Sequence, residues 1–275
     1  MDVLRLGVVQ PRAFRGEETP RNVDAAIRYL DEAAAAGAQL VCFPEGYPGP
    51  ANPLHQYDSL PRLQERAKER GVYVVASRLA PAPLQGHHMA LYLIDPEGRI
   101  VGTYHRTTPE GPYIYRDIPD WQFDYVPGDA LPVFETTFGR LGLLVCSEAY
   151  APELSRLLAL QGAEIVLMPA GALLNELIPT WRTLIWARAI ENLMYTAACQ
   201  NLFGVEEGVG IIAGPEEILA TAGRPGILIA DLDLARIRWL REQDEKIEMP
   251  KRYRVVPGTL RWHRADLYRK TLPGW

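Results

Sequence analysis

Strand and helix signals alternate along this chain, and hairpins fall between the repeats. That pattern restricts the fold to layered α/β with mixed sheets and argues against an all-parallel wind. An apolar strand at Leu4–Gln10 leads to a helical stretch from Thr19-Pro20 through Ala36, stopped by Gly37; Thr19 suits the cap and Pro20 the first turn. The run Leu40-Val41-Cys42-Phe43 ends at Pro44-Glu45, a second helix spans Pro61–Arg70, and a strand follows at Val72–Ser77. Met89–Ile94 and Ile100–Tyr104 flank the turn Asp95-Pro96-Glu97-Gly98 and read as a hairpin. A long irregular stretch, Thr107–Leu131, precedes a second strand pair, Val133–Phe138 and Leu141–Val145. Helices at Pro152–Leu160 and Pro179–Leu193, strands at Ile165–Met168, Tyr195–Cys199, Gly210–Ala213, Ile218–Ala222 and Ile227–Ile229, and a short helix at Ala235–Glu242 complete the pattern. Neither a Gly-rich dinucleotide fingerprint nor a P-loop is present. Residues 1–234 read as one domain, with 235–275 a basic C-terminal extension of the same unit.

Composition narrows the partners. The 275 residues carry a net charge of −5, yet residues 235–275 hold eleven Lys or Arg against five Asp or Glu. That tail is interleaved with Trp239, Tyr253, Trp262 and Tyr268, which favours a subunit contact over a nucleic-acid arm. No apolar run approaches membrane-spanning length. Cys42, Cys146 and Cys199 are scattered and odd in number, without a CxxC pair, which weighs against zinc and against a disulfide framework. With a strand beginning at Leu4 and no targeting segment before it, a reducing, cytoplasmic setting is expected.

Two apolar strands end in side chains with chemistry: Phe43-Pro44-Glu45 and Val145-Cys146-Ser147-Glu148. In open α/β sheets the space beyond the strand ends is where ligands bind. A carboxylate and a thiol delivered there suit a general base and a nucleophile. Pro152 and Glu153 open a helix just past Cys146, so the cysteine is expected at a strand-to-helix turn, exposed, with its thiolate favoured. Against this stand the ordinary readings, a buried structural cysteine and a solvated loop acid.

The order and spacing of several segments decide between them. Leu40-Val41-Cys42-Phe43-Pro44-Glu45, Gly102-Thr103-Tyr104-His105-Arg106, Pro127-Gly128-Asp129, Gly142 through Glu148, Gln161-Gly162-Ala163-Glu164-Ile165, Arg188 through Asn192 with Asn201, and Arg264 through Tyr268 follow one another along nearly the whole chain. Together they resemble the nitrilase, or carbon–nitrogen hydrolase, superfamily. The resemblance implies a four-layer αββα sandwich and a Glu-Lys-Cys triad, with the base at Glu45 and the nucleophile at Cys146. It further implies cleavage of non-peptide carbon–nitrogen bonds in amides, carbamoyl compounds or nitriles without metal or organic cofactor, and a homodimer or larger homo-oligomer.

The chain departs from that pattern at the lysine. Arg106 occupies its slot, and none of the four lysines lies nearby. An arginine there can steady an oxyanion, or it can clamp Glu45 with two hydrogen bonds and weaken it as a base. The departure keeps a second reading open, a degenerate member that binds a ligand or partner without turnover. Asp120 or Glu110 would serve as the family's second loop acid, and either would serve equally well as a solvated loop residue. His105, beside Arg106 on a strand, faces the opposite side and makes a poor partner for Cys146. The adjacent His87 and His88 diverge for the same reason and lack a third metal ligand. The expectation is therefore a cysteine hydrolase acting through Glu45, Arg106 and Cys146, with amide or carbamoyl substrates ahead of nitriles.

Overall fold

The computed structural model describes residues 2–55, 57–108, 123–204, 207–243 and 255–271. Strand β1 (Val3–Gln10) is followed by helix α1 (Arg21–Ala35), β2 (Leu40–Cys42), α2 (Leu60–Arg70), β3 (Tyr73–Pro81), β4 (His87–Ile94) and β5 (Ile100–His105). Then come β6 (Val133–Glu135), β7 (Arg140–Leu143), α3 (Pro152–Leu160), β8 (Ile165–Leu167), α4 (Ile178–Asn192), β9 (Tyr195–Ala198), β10 (Ile211–Ala213) and β11 (Ile218–Thr221). The last strand, β12 (Gly226–Asp233), returns to β1, and helices α5 (Leu234–Glu242) and α6 (Ala265–Thr271) follow it.

Two six-stranded sheets result, ordered β12-β1-β2-β3-β4-β5 and β11-β10-β9-β8-β7-β6. In each, three central strands are parallel and the outer ones antiparallel. The two-residue period of the strands sorts the first sheet's side chains. Leu4, Leu6, Val8, Leu40, Cys42, Tyr73 and Val75 enter the core between the sheets, together with Leu143, Val145 and Ile165 from the second. Val9, Val41, Val74 and Ala76 point the other way, onto Ala26, Leu30 and Ala33 of α1 and Leu63 and Ala67 of α2. On the far face Leu158 of α3 and Trp181 and Ile185 of α4 cover the second sheet. The order of layers is helix, sheet, sheet, helix, as expected.

Some boundaries differ from the sequence reading for identifiable reasons. The first helix begins at Arg21 without a side-chain cap, because Thr19 Oγ1 donates to the Gly16 carbonyl of a preceding 3₁₀ turn. The final strand is eight residues rather than three. Asp231 and Asp233 interrupt its apolar pattern, but β12 is an edge strand, and Asp231 pairs with Arg5 across the ladder at 2.7 Å. The 3₁₀ turn Cys146–Tyr150 and the short helix α6 carried no clear periodicity. Leu234, Ile237 and Leu240 of α5 are buried, so the extension begins inside the fold.

Candidate active site

The parallel strands deliver their C-terminal ends to one place. Beyond β2 comes Glu45, beyond β7 Cys146, beyond β8 Pro169-Ala170-Gly171, and beyond β9 Gln200-Asn201. Backbone hydrogen bonds stitch these ends across the two sheets. Glu45 N donates to Ala170 O (3.3 Å), Ala170 N to Cys199 O (2.7 Å), Cys146 N to Pro169 O (2.9 Å) and Asn201 N to Gly171 O (3.0 Å). Asn201 Nδ2 donates to Glu45 O at 2.9 Å, so the backbone carrying Glu45 is held by the opposite sheet.

Cys146 starts the 3₁₀ turn with φ of +51°, a left-handed conformation that a side chain rarely adopts. Such strain costs about 1–3 kcal/mol and persists only where neighbours enforce it. The expectation of an exposed, ready-made thiolate is corrected here. Cys146 is buried, and burial, followed by the Glu45 charge, pushes its thiol up to about 12, while Arg106 and the Gly171 N–H act in the opposite direction. Proximity to the Glu45 side chain acts in the same upward direction. At rest the group is therefore a protonated thiol lying against a carboxylate. Cys42 and Cys199 are buried deeper; burial, then contact with Cys42, raises the Cys199 thiol well above its usual range.

Arg106 extends from the end of β5 and is only 1% exposed, as is Glu45. Its Nη1 donates to Glu45 Oε1 at 2.9 Å, Nε to Thr108 O at 3.2 Å and Nη2 to Ser147 Oγ. The guanidinium thus spans from the carboxylate to the residue following Cys146. Its backbone is fixed as well: Arg106 N donates to Met89 O, and Arg106 O accepts from Gly128 N and the Tyr125 hydroxyl. A side chain at Gly128 would run into the His105 carbonyl, which explains the glycine of Pro127-Gly128-Asp129.

Glu148 is the residue the sequence reading left without a role. Its buried carboxylate accepts from Tyr104 Oη (2.8 Å), Thr107 N (2.8 Å), Thr107 Oγ1 (2.6 Å), Thr108 N (3.0 Å) and Val145 N (2.7 Å). It ties the segment bearing Arg106 to the turn bearing Cys146. A carboxylate two residues past the nucleophile candidate, within an otherwise apolar stretch, was the available signal. His105 stacks on His88, with ring centroids 4.1 Å apart, and takes no part in this cluster. Asp120 and Glu110 lie outside the described residues. Among the described residues no cluster of potential metal ligands occurs.

The αββα sandwich, with an acid, a cation and a thiol at the strand ends, defines a nitrilase-type hydrolase. The carbon–nitrogen hydrolase profile matches residues 5–242, and the chain belongs to that family of enzymes. It is 29% identical to the N-carbamoylputrescine amidase of Arabidopsis thaliana over 93% of this chain and 91% of the relative. It is 25% identical to the omega-amidase of Homo sapiens over 90% and 91%. Among solved structures, a mutant amidase of the nitrilase superfamily from Nesterenkonia AN1 matches with a TM-score of 0.76 and 27% identity, covering 98% and 97% of the two chains. In another mutant of that amidase, at TM-score 0.77 and 26% identity over the same shares, the acetamide moiety of fluoroacetamide is added covalently at the active site cysteine.

Proposed function

We propose that this chain hydrolyses a small amide or N-carbamoyl compound through an acyl-enzyme on Cys146, with Arg106 working in place of the family's lysine. Glu45 takes the thiol proton as Sγ attacks the carbonyl carbon, and the carbonyl electron pair moves onto oxygen. The Arg106 guanidinium and backbone N–H groups near Ser147 hold that oxyanion. The proton passes from Glu45 to the leaving nitrogen, the carbon–nitrogen bond breaks, and ammonia or an amine departs. Water then gives a proton to Glu45 and adds to the acyl carbon; the thiol leaves with the proton restored, and the acid is released. No metal or organic cofactor enters any step.

The observation that carries this reading is the buried Arg106 guanidinium, which donates to Glu45 Oε1 at 2.9 Å and to Ser147 Oγ, beside Cys146, and so brings the carboxylate and the turn of the thiol together. With burial and the Glu45 charge pushing the thiol up to about 12, attack calls for a base that takes the thiol proton, and Glu45 is the carboxylate placed to do so. The names of the amidase relatives favour amide and carbamoyl substrates over nitriles. A cytoplasmic setting suits the three free thiols. The exposed apolar side chains Tyr150, Leu157 and Leu160 near the site, with Trp262, Leu267 and Tyr268 of the extension, suit a homodimer or larger assembly. The test is ammonia release from a panel of short amides and carbamoyl compounds by the parent and Glu45→Gln. The parent should turn over at least one of them, and the amide variant should lose about a hundredfold or more. A variant within a few-fold of the parent would remove Glu45 as base.

A further inference from the structure

A small pocket of about 20 Å³ is lined by Asn22, Tyr47, His55 and Asn201 among others, with Gly46, the residue after Glu45, in its wall. Three of its side chains each keep a buried polar atom that has no hydrogen-bond partner among the described residues: Tyr47 Oη, His55 Nδ1 and Asn201 Oδ1. Tyr47 is 1% exposed and Asn201 3%. Their neighbours in the lining are already satisfied. Thr19 Oγ1 donates to Gly16 O, and Asn22 exchanges both its amide hydrogen bonds with the backbone of Phe14. The orientation of the Asn201 amide is fixed, because its Nδ2 donates to the Glu45 carbonyl and so its Oδ1 remains as an acceptor.

Three unpaired buried polar atoms are costly, and native proteins rarely leave them so. We infer that this pocket holds one tightly bound water molecule, shared by Tyr47, His55 and Asn201, that braces the backbone carrying Glu45. The volume matches the roughly 10–15 Å³ a water needs, and three polar partners match its usual coordination. The valences also close. The Tyr47 hydroxyl donates to the water, and the water's two hydrogens go to Asn201 Oδ1 and His55 Nδ1. Apolar occupants gain nothing from three polar atoms, and an anion would face the Asn201 oxygen. His55 also lines an open cleft of about 400 Å³ formed with Pro50, Tyr57 and Arg78.

A high-resolution crystal structure of the full chain, grown without ammonium or potassium salts, tests this. The expected result is a single ordered water within about 2.7–3.2 Å of all three atoms. In Tyr47→Phe the water should be lost or displaced, and the melting temperature should fall by several degrees. A dry pocket, or any of the three atoms paired instead with protein, would overturn the inference. So would a density that appears only when a monovalent cation is supplied. Unchanged water and unchanged melting in Tyr47→Phe would also count against it. The result is separable from the catalytic reading: a dry pocket beside an inactive Glu45→Gln sinks only the water, whereas a water beside an active Glu45→Gln sinks only the base.

Discussion

Arg106 stands where the resemblance implies a lysine, and its side chain reaches in two directions. One arm holds Glu45, another reaches Ser147, and Nε is anchored on the Thr108 carbonyl. The sequence left a choice between an arginine that clamps the base and one that faces the substrate. The structure shows a buried ion pair, at 1% exposure on both partners, and the same planar fork also reaches Ser147 in the turn of Cys146. Arg106→Ala should therefore both abolish turnover and destabilise the fold by about 3–5 kcal/mol, since it removes one partner of a buried ion pair. Arg106→Lys keeps the charge but loses the fork, and should retain measurable activity. Ammonia release together with denaturant melts checks both variants. Equal inactivity of the two, with the lysine variant folded, would show that the fork itself is required.

At the scale of elements, the strand ends were legible and the turn between them was not. Apolar runs closing on Glu45 and Cys146 pointed to the two strand ends that the fold brings together, because alternation and composition report where a strand stops. They do not report a left-handed cysteine, which depends on what the neighbours impose. Nor do they show that Glu148 gathers five donor groups from two segments about forty residues apart. The thiol's burial was missed for the same reason: an N-terminal helix signal at Pro152 suggested an open loop, whereas the 3₁₀ turn folds Cys146 against Glu45. Glu148→Gln places amide hydrogens against backbone N–H groups. It should cost about 2 kcal/mol or more in stability and lower kcat with little change in KM, with Glu148→Asp recovering part of both. Unfolding curves and steady-state kinetics on the two variants decide it; unchanged kcat in Glu148→Gln would confine the residue to the background of the fold.

For the molecule as a whole, layered α/β with mixed sheets followed from the alternating pattern, and the four-layer order from the resemblance carried by the motifs. The edge strand β12 was read too short because charged residues suit an edge. No helix among the described residues is long and apolar enough to cross a membrane. The basic extension begins as α5, packed in the core through Ile237 and Leu240, and ends with exposed Leu267 and Tyr268 on α6. Sedimentation of the full chain at micromolar concentration should show a dimer or larger assembly, and truncation after Glu248 should weaken it. A monomeric full-length protein would assign those apolar side chains to something other than self-association.

The chemistry itself is tested most directly by fluoroacetamide, which the Nesterenkonia amidase mutant takes up at its cysteine. Intact mass spectrometry and peptide mapping after incubation at neutral pH should show one acetamide moiety per chain, on the peptide containing Cys146. Cys146→Ala should acquire none, and Cys42 and Cys199 should stay unmodified. An adduct on Cys42 or Cys199 ahead of Cys146, or ammonia release from a short amide that persists in Cys146→Ala, would contradict a Cys146 nucleophile.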